Sequence, residues 1–93
     1  MKRQLLKSSS FGRTAKRIIK KNPDLLNSIQ TTLELLSEDA FHPSLKTHKL
    51  KGNLENSWAC SVTYSVRIVF EFVDYLDNEA ILLEAVGTHD EVY

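Results

Sequence analysis

The run Arg67-Ile68-Val69-Phe70-Glu71-Phe72-Val73 restricts the fold more than any other part of the chain. β-Branched and aromatic side chains at this density suit a pleated, half-buried surface, so the run reads as a β-strand. A strand cannot bury itself and needs strand neighbours and a second layer. Its neighbours are close in sequence. Asp74 to Glu79 contains the turn-forming pair Asp77-Asn78, and a further strand follows at 80–86. On the other side, Ser57 to Val62 alternates Trp58, Cys60 and Val62 on one face, with Tyr64-Ser65 as a tight connection. Three strands joined by short links predict an antiparallel meander.

The second layer is written in the first forty residues. Ser8-Ser9-Ser10 offers oxygens to cap a helix, and Phe11, Ala15, Ile18 and Ile19 then fall on one helical face. The other face carries Arg13, Lys16, Arg17, Lys20 and Lys21. Asn22-Pro23 interrupts the pattern, because proline disfavours helix in the residue before it and suits a first helical position. A second helix is expected with Asn22 as its cap and Leu26, Ile29, Leu33 and Leu36 as its apolar stripe, widened by Leu25, ending between Ser37 and Pro43. Before both helices, Lys2 to Lys7 reads as a short strand carrying Leu5-Leu6. Helices first and strands after give an α+β fold: a helical hairpin, preceded by that short strand, on a small antiparallel sheet of three to four strands. Ninety-three residues suffice for one such domain, 1–93, and not for two.

The formal charge of zero conceals a division. Residues 1–51 hold eleven Lys/Arg and four Asp/Glu, whereas Arg67 is the one base among residues 52–93 against eight acids. Such a split marks either a nucleic-acid-facing side or two solvated faces that balance in three dimensions. No apolar run is long enough to span a membrane, no signal peptide is apparent, and the single Cys60 permits no internal disulfide, which together suggest the cytoplasm. His42, His48, Cys60 and His89 show no zinc-site spacing, and there is no phosphate-binding glycine loop or nucleophile elbow. No metal or cofactor is expected.

Three places can carry chemistry. Pro43 to Gly52 is a non-helical connection with His48 among Lys46, Lys49 and Lys51; it reads as a binding loop or as a solvated link anchored by Leu45 and Leu50. Arg67 opens the strongest strand and either lies at the sheet rim, where its planar fork suits phosphate, or pairs with a carboxylate such as Glu84. His89 follows Gly87-Thr88 directly after the last strand.

In order, His48-Lys49-Leu50-Lys51-Gly52, Trp58, Arg67-Ile68-Val69-Phe70-Glu71-Phe72 and Gly87-Thr88-His89-Asp90-Glu91-Val92-Tyr93 resemble the RelE/ParE superfamily of bacterial toxins, and most closely its RelE/YafQ-like mRNA-interferase branch. The resemblance spans essentially the whole chain. It implies a type II toxin, a ribosome-dependent endoribonuclease that cleaves mRNA without metal by attack of the ribose 2′-OH and is neutralised by a cognate antitoxin. It implies His48 and His89 as the acid–base pair, Arg67 as the stabiliser of the charged transition state, and Tyr93 as a terminal aromatic that stacks on a base or donates a hydrogen bond. Lys46, Lys49 and Lys51 are then the RNA-binding residues. Asp90 and Glu91 are expected to turn away from RNA or to pair with Lys49 or Lys51. One departure stands out. Many RelE-type strands carry basic residues, or a further His and Asp, before the arginine, but Ala59 to Ser65 has none of these. Two alternatives follow: a DNA gyrase inhibitor of the ParE type, or a catalytically inactive member that only binds its antitoxin.

Overall fold

The structure, a computed structural model, describes residues 2–52 and 56–92, excluding the side chains of Glu91 and Val92. Strand β1 (Leu5–Lys7) leads into α1 (Ser9–Lys21) and α2 (Leu25–Glu38). A 3₁₀ turn (Pro43–Leu45) precedes β2 (His48–Lys49), and β3 (Trp58–Ser61), β4 (Val66–Tyr75) and β5 (Asn78–Thr88) complete the sheet before the single turn α3 (His89–Val92). The sheet order is β1-β5-β4-β3-β2.

The expected α+β arrangement is present, with more strands and a mixed sheet. Five strands form, and β1 runs parallel to β5, pairing Leu5 with Ile81 and Lys7 with Leu83. The remaining pairs are antiparallel. The added strand is β2, within the segment expected to be a loop: two residues suffice to pair His48 with Ala59 and Lys49 with Trp58. Gly52, at φ +76°, then takes a turn conformation that other residues rarely adopt.

α1 starts as expected, with the Ser8 hydroxyl accepting from the Phe11 N–H at 3.0 Å. α2 differs. Its cap position is Asp24 rather than Asn22, because Asn22-Pro23-Asp24 forms a turn in which the Leu25 N–H donates to the Asn22 carbonyl. The helix consequently buries Leu25, Ile29, Thr32 and Leu36, whereas Leu26, expected on the apolar stripe, is exposed. Thr32 is accommodated in this row because its hydroxyl donates to the Ser28 carbonyl.

Period-two alternation sorts the sheet residues between its faces. Ile68, Phe70, Ile81, Leu83, Val86 and Cys60 join Phe11, Leu25, Ile29 and Leu36 in the main core. The opposite face bears a second, small cluster of Leu50, Ala59 and Val69. Val69 pairs with Ala85 but Phe70 with Leu83, so Glu84 is an extra residue in β5. Such a bulge bends the strand and increases its twist.

The β4–β5 turn comprises Leu76-Asp77, one residue earlier than the expected Asp77-Asn78. Both residues have positive φ, 50° and 66°, as a two-residue type I′ hairpin demands, and pairing therefore extends to Tyr75 and Asn78. Among the described residues no helix is long and apolar enough to cross a membrane.

Candidate RNA-cleaving site

Arg67 stands on β4 opposite Gly87 of β5 and Ser61 of β3, on the face away from the main core. Its Nη1 donates to the carbonyls of Thr63 and Tyr64, each at 2.8 Å, and of Val66 at 3.2 Å. The guanidinium therefore closes the β3–β4 turn. Among the described residues no carboxylate pairs with it, so the rim position, rather than the Glu84 pair, is the one realised.

His89 reaches the same rim from the neighbouring strand. β5 ends by pairing Thr88 with Val66, after which the His89 N–H donates to the Ser65 carbonyl at 3.2 Å. This hydrogen bond ties the start of α3 to the β3–β4 turn. Tyr64, Ser65, Arg67, Thr88, His89 and Asp90 line one cavity of about 400 Å³. Arg67 and His89 are thus brought together. Asp90, expected to turn away from RNA or to pair with Lys49 or Lys51, lines the cavity beside them. Tyr93 lies outside the described residues.

His48 stands elsewhere on the sheet. It pairs with Ala59, which pairs with Val69, so it belongs to the outer edge of the same face as Arg67. Its Nδ1 faces the Lys46 carbonyl at 3.0 Å. A carbonyl only accepts, so Nδ1 is the donor in this bond. Lys46 directs its carbonyl there from a left-handed conformation, φ 52°. Along the pairing register, His48 and His89 are three strands and four residues apart, about 20 Å between Cα atoms in a flat sheet. They occupy opposite corners of the face.

The lysines divide. Lys49 follows His48 in the strand and therefore points to the other face. Lys46, Lys49 and Lys51 are all exposed. His42 has a local role: its Nδ1 accepts from the Ser44 N–H at 3.1 Å and caps the 3₁₀ turn.

Two further features bear on the chemistry. The Cys60 thiol is fully enclosed, and burial, partly offset by the Arg67 charge, pushes its pKa up to about 12. It supplies neither a nucleophile nor a base. On the open face the hydrogen bond that protonated Glu71 donates to Glu84, together with burial and the charge of Glu84, raises the pKa of Glu71 above its ordinary value. The Ser57 hydroxyl also donates to Glu84, at 2.8 Å. Among the described residues no three His, Cys, Asp or Glu side chains gather as a metal site requires.

Sequence reasoning overlooked Tyr64, which is 96% exposed at the mouth of the cavity. Its signal was available: an aromatic at the tip of a two-residue connection has no core to enter. It also read the cations of α1 as a uniform polar face. Arg17 and Lys21 instead line a smaller cavity against β5.

The family model for the YafQ bacterial toxin of type II toxin–antitoxin systems matches residues 3–93. No curated protein matches the chain in sequence. Among solved structures, the chain is similar to YafQ from Escherichia coli strain BL21(DE3), with a TM-score of 0.79 and 17% identity over 98% of both chains. It is equally similar to a chain of the E. coli DinJ–YafQ complex, with a TM-score of 0.79 and 19% identity over 98% of both. A YoeB/ParE toxin from Agrobacterium tumefaciens gives 0.75 and 15%, covering 92% of this chain and 98% of that one. At these identities the structural likeness establishes the fold, and the family model establishes the kinship. The chain belongs to the YafQ family, bacterial toxins of type II toxin–antitoxin systems.

Proposed function

We propose that this toxin is an endoribonuclease that cleaves mRNA on the ribosome by attack of a ribose 2′-OH on the adjacent phosphate. The observation that carries this reading is the shared cavity of Arg67 and His89 at the rim of β4 and β5. Such a cleavage needs a base for the 2′-OH, a cation for charge growing on the phosphate and an acid for the departing 5′-oxygen. Arg67 is the cation. One of its nitrogens is spent on the turn carbonyls, which fixes the plane of the fork and pre-orients its remaining donors. His48, whose Nδ1 donates to the Lys46 carbonyl, acts as base from the strand edge. His89 acts as acid, and the RNA lies across the face between the two rings. Tyr93, Tyr64, Lys46 and Lys51 are proposed to hold flanking nucleotides. Lys49, on the far face, is the least suited to this role.

The chain acts in the cytoplasm as one toxin domain, and its partner in inhibition is a cognate antitoxin. This partnership is supported by the solved complex of DinJ with YafQ, to which the fold is similar. A second reading has its own support. Between Trp58 and Arg67 the only ionisable candidate, apart from the phenol of Tyr64, is the buried Cys60 thiol. That gap fits a catalytically inactive member that only binds its antitoxin.

One experiment separates the two. The toxin is induced without antitoxin and mRNA ends are mapped, alongside Arg67→Gln, His48→Ala and His89→Ala. New cleavage sites that vanish in the variants support the nuclease. Growth and mRNA ends that do not change on induction would sink it. A supercoiling assay with purified gyrase checks the ParE-type alternative, for which the nuclease reading expects no effect.

A further inference from the structure

α1 is tied to β5 at Thr14, whose hydroxyl accepts from the Val86 N–H at 3.0 Å. That hydroxyl in turn donates to the Ser10 carbonyl at 2.9 Å. The contact sets the rotation of α1 about its axis. Residues three, four and seven positions on from Thr14 share its side of the helix. These are Arg17, Ile18 and Lys21, and with Thr14, Val86 and Thr88 they line a cavity of about 190 Å³. Among the described residues no carboxylate lines it, and none pairs with Arg17 or Lys21.

Thr88 also lines the cavity of Arg67 and His89. The two cavities therefore meet at the rim where β5 ends. Helix-end electrostatics accounts for part of this arrangement, since a cation at Lys21 is favourable beside the C-terminal carbonyls of α1. It does not account for Arg17, a full turn earlier, or for the orientation of both toward the rim.

From this placement we infer that Arg17 and Lys21 form a subsite for an RNA backbone phosphate flanking the scissile one, reached where the strand rounds the rim from the open face toward α1. The inference rests on reading the Arg67–His89 cavity as an RNA site. The chemistry is that of a phosphodiester: one planar fork and one ammonium, with no aromatic or base-reading group lining the cavity among the described residues. The subsite therefore contributes affinity without sequence preference.

The test is binding of a short single-stranded 2′-O-methyl RNA, which lacks the attacking hydroxyl and cannot be cleaved, titrated over a range of salt concentrations. Arg17→Gln/Lys21→Gln is compared with Lys16→Gln/Lys20→Gln, which removes equal charge from residues that do not line the cavity. Losing two phosphate contacts lowers the slope of log affinity against log salt by about 1.4 and weakens binding about 25-fold at 0.1 M salt. The control pair keeps the parental slope. Equal losses in both variants, an unchanged slope in the first, or no binding by the parent at low salt would each overturn the subsite. All four positions are exposed on one helix, and thermal melts run alongside check that both variants fold. The nuclease reading fails separately: a parent that binds with the full slope yet leaves mRNA intact loses the activity and keeps the subsite.

Discussion

Arg67→Lys tests whether the site depends on a fork or on a charge. Lysine preserves the charge and most of the length, but carries a single ammonium. In the structure one guanidinium nitrogen is already committed to the carbonyls of Thr63 and Tyr64 at 2.8 Å. A lysine must choose between holding the turn and meeting the phosphate, because its donors all radiate from one atom. If it meets the phosphate, the turn loosens, at a cost of about 1–2 kcal/mol for the two charge-assisted bonds in this partly exposed place. The His89 N–H bond to the Ser65 carbonyl then loosens with it. If it holds the turn, the transition state loses its donor, worth about 100-fold or more in kcat, or about 3 kcal/mol.

Either way, ribosome-dependent cleavage of a reporter mRNA is expected to fall about 100-fold with Lys, close to the value for Gln. Urea denaturation, run in parallel, distinguishes the two routes, since only the first lowers stability. A Lys variant within about threefold of the parent would refute the reasoning, because a point charge would then suffice.

The remaining expectations concern the surroundings of the site. Glu71 has a folded-state pKa above the ordinary carboxyl value of 4.5, so its stabilising contribution is present at pH below that value and is lost as pH rises through the raised one. Glu71→Gln is therefore expected to be more stable than the parent at pH 7, the gap closing toward pH 4 in urea melts. Replacing Leu76-Asp77 by Asn-Gly, which suits two positive-φ positions, is expected to raise stability by about 1 kcal/mol in the same assay. Thr14→Val leaves the Val86 N–H without its acceptor, and is expected to cost about 1–3 kcal/mol and to speed amide exchange at Val86. Asp90→Asn removes the one acid that lines the Arg67–His89 cavity among the described residues and is expected to strengthen RNA binding about three- to fivefold at low salt, an effect that disappears at high salt.

Strands, helices and the sheet-on-helix plan were legible because their signals are local: β-branched runs, a 3–4 apolar spacing, a proline after the first helix. The phase of α2 was not, because Leu25 and Leu26 are equally apolar and only the Asn22-Pro23-Asp24 turn decides which faces the core. β2 was illegible for another reason. A two-residue edge strand has no periodicity, and it forms only because Ala59 and Trp58 already stand in a sheet. Of the site, Arg67 and His89 could be named from the sequence, but not their meeting, which depends on the antiparallel register of β4 and β5. The same register separates His48 from His89, two residues that resemblance alone treats as a pair.

Register also explains how a chain of zero net charge can present a cationic site. The acids of the second half are not spread evenly along β4 and β5. Asp74, Asp77 and Glu79 sit at the hairpin end, where Tyr75 pairs with Asn78. Arg67 and His89 sit at the opposite end. Seven residues of strand separate Arg67 from Asp74, about 23 Å, against a Debye length of about 8 Å at physiological salt. Repulsion from that cluster is therefore largely screened at the rim. Among the described residues the charges lining the two rim cavities are Arg67, Arg17 and Lys21 against Asp90. What an approaching phosphate meets is this local field, in which cations outnumber the acid, and the balanced total of the chain has little bearing on it.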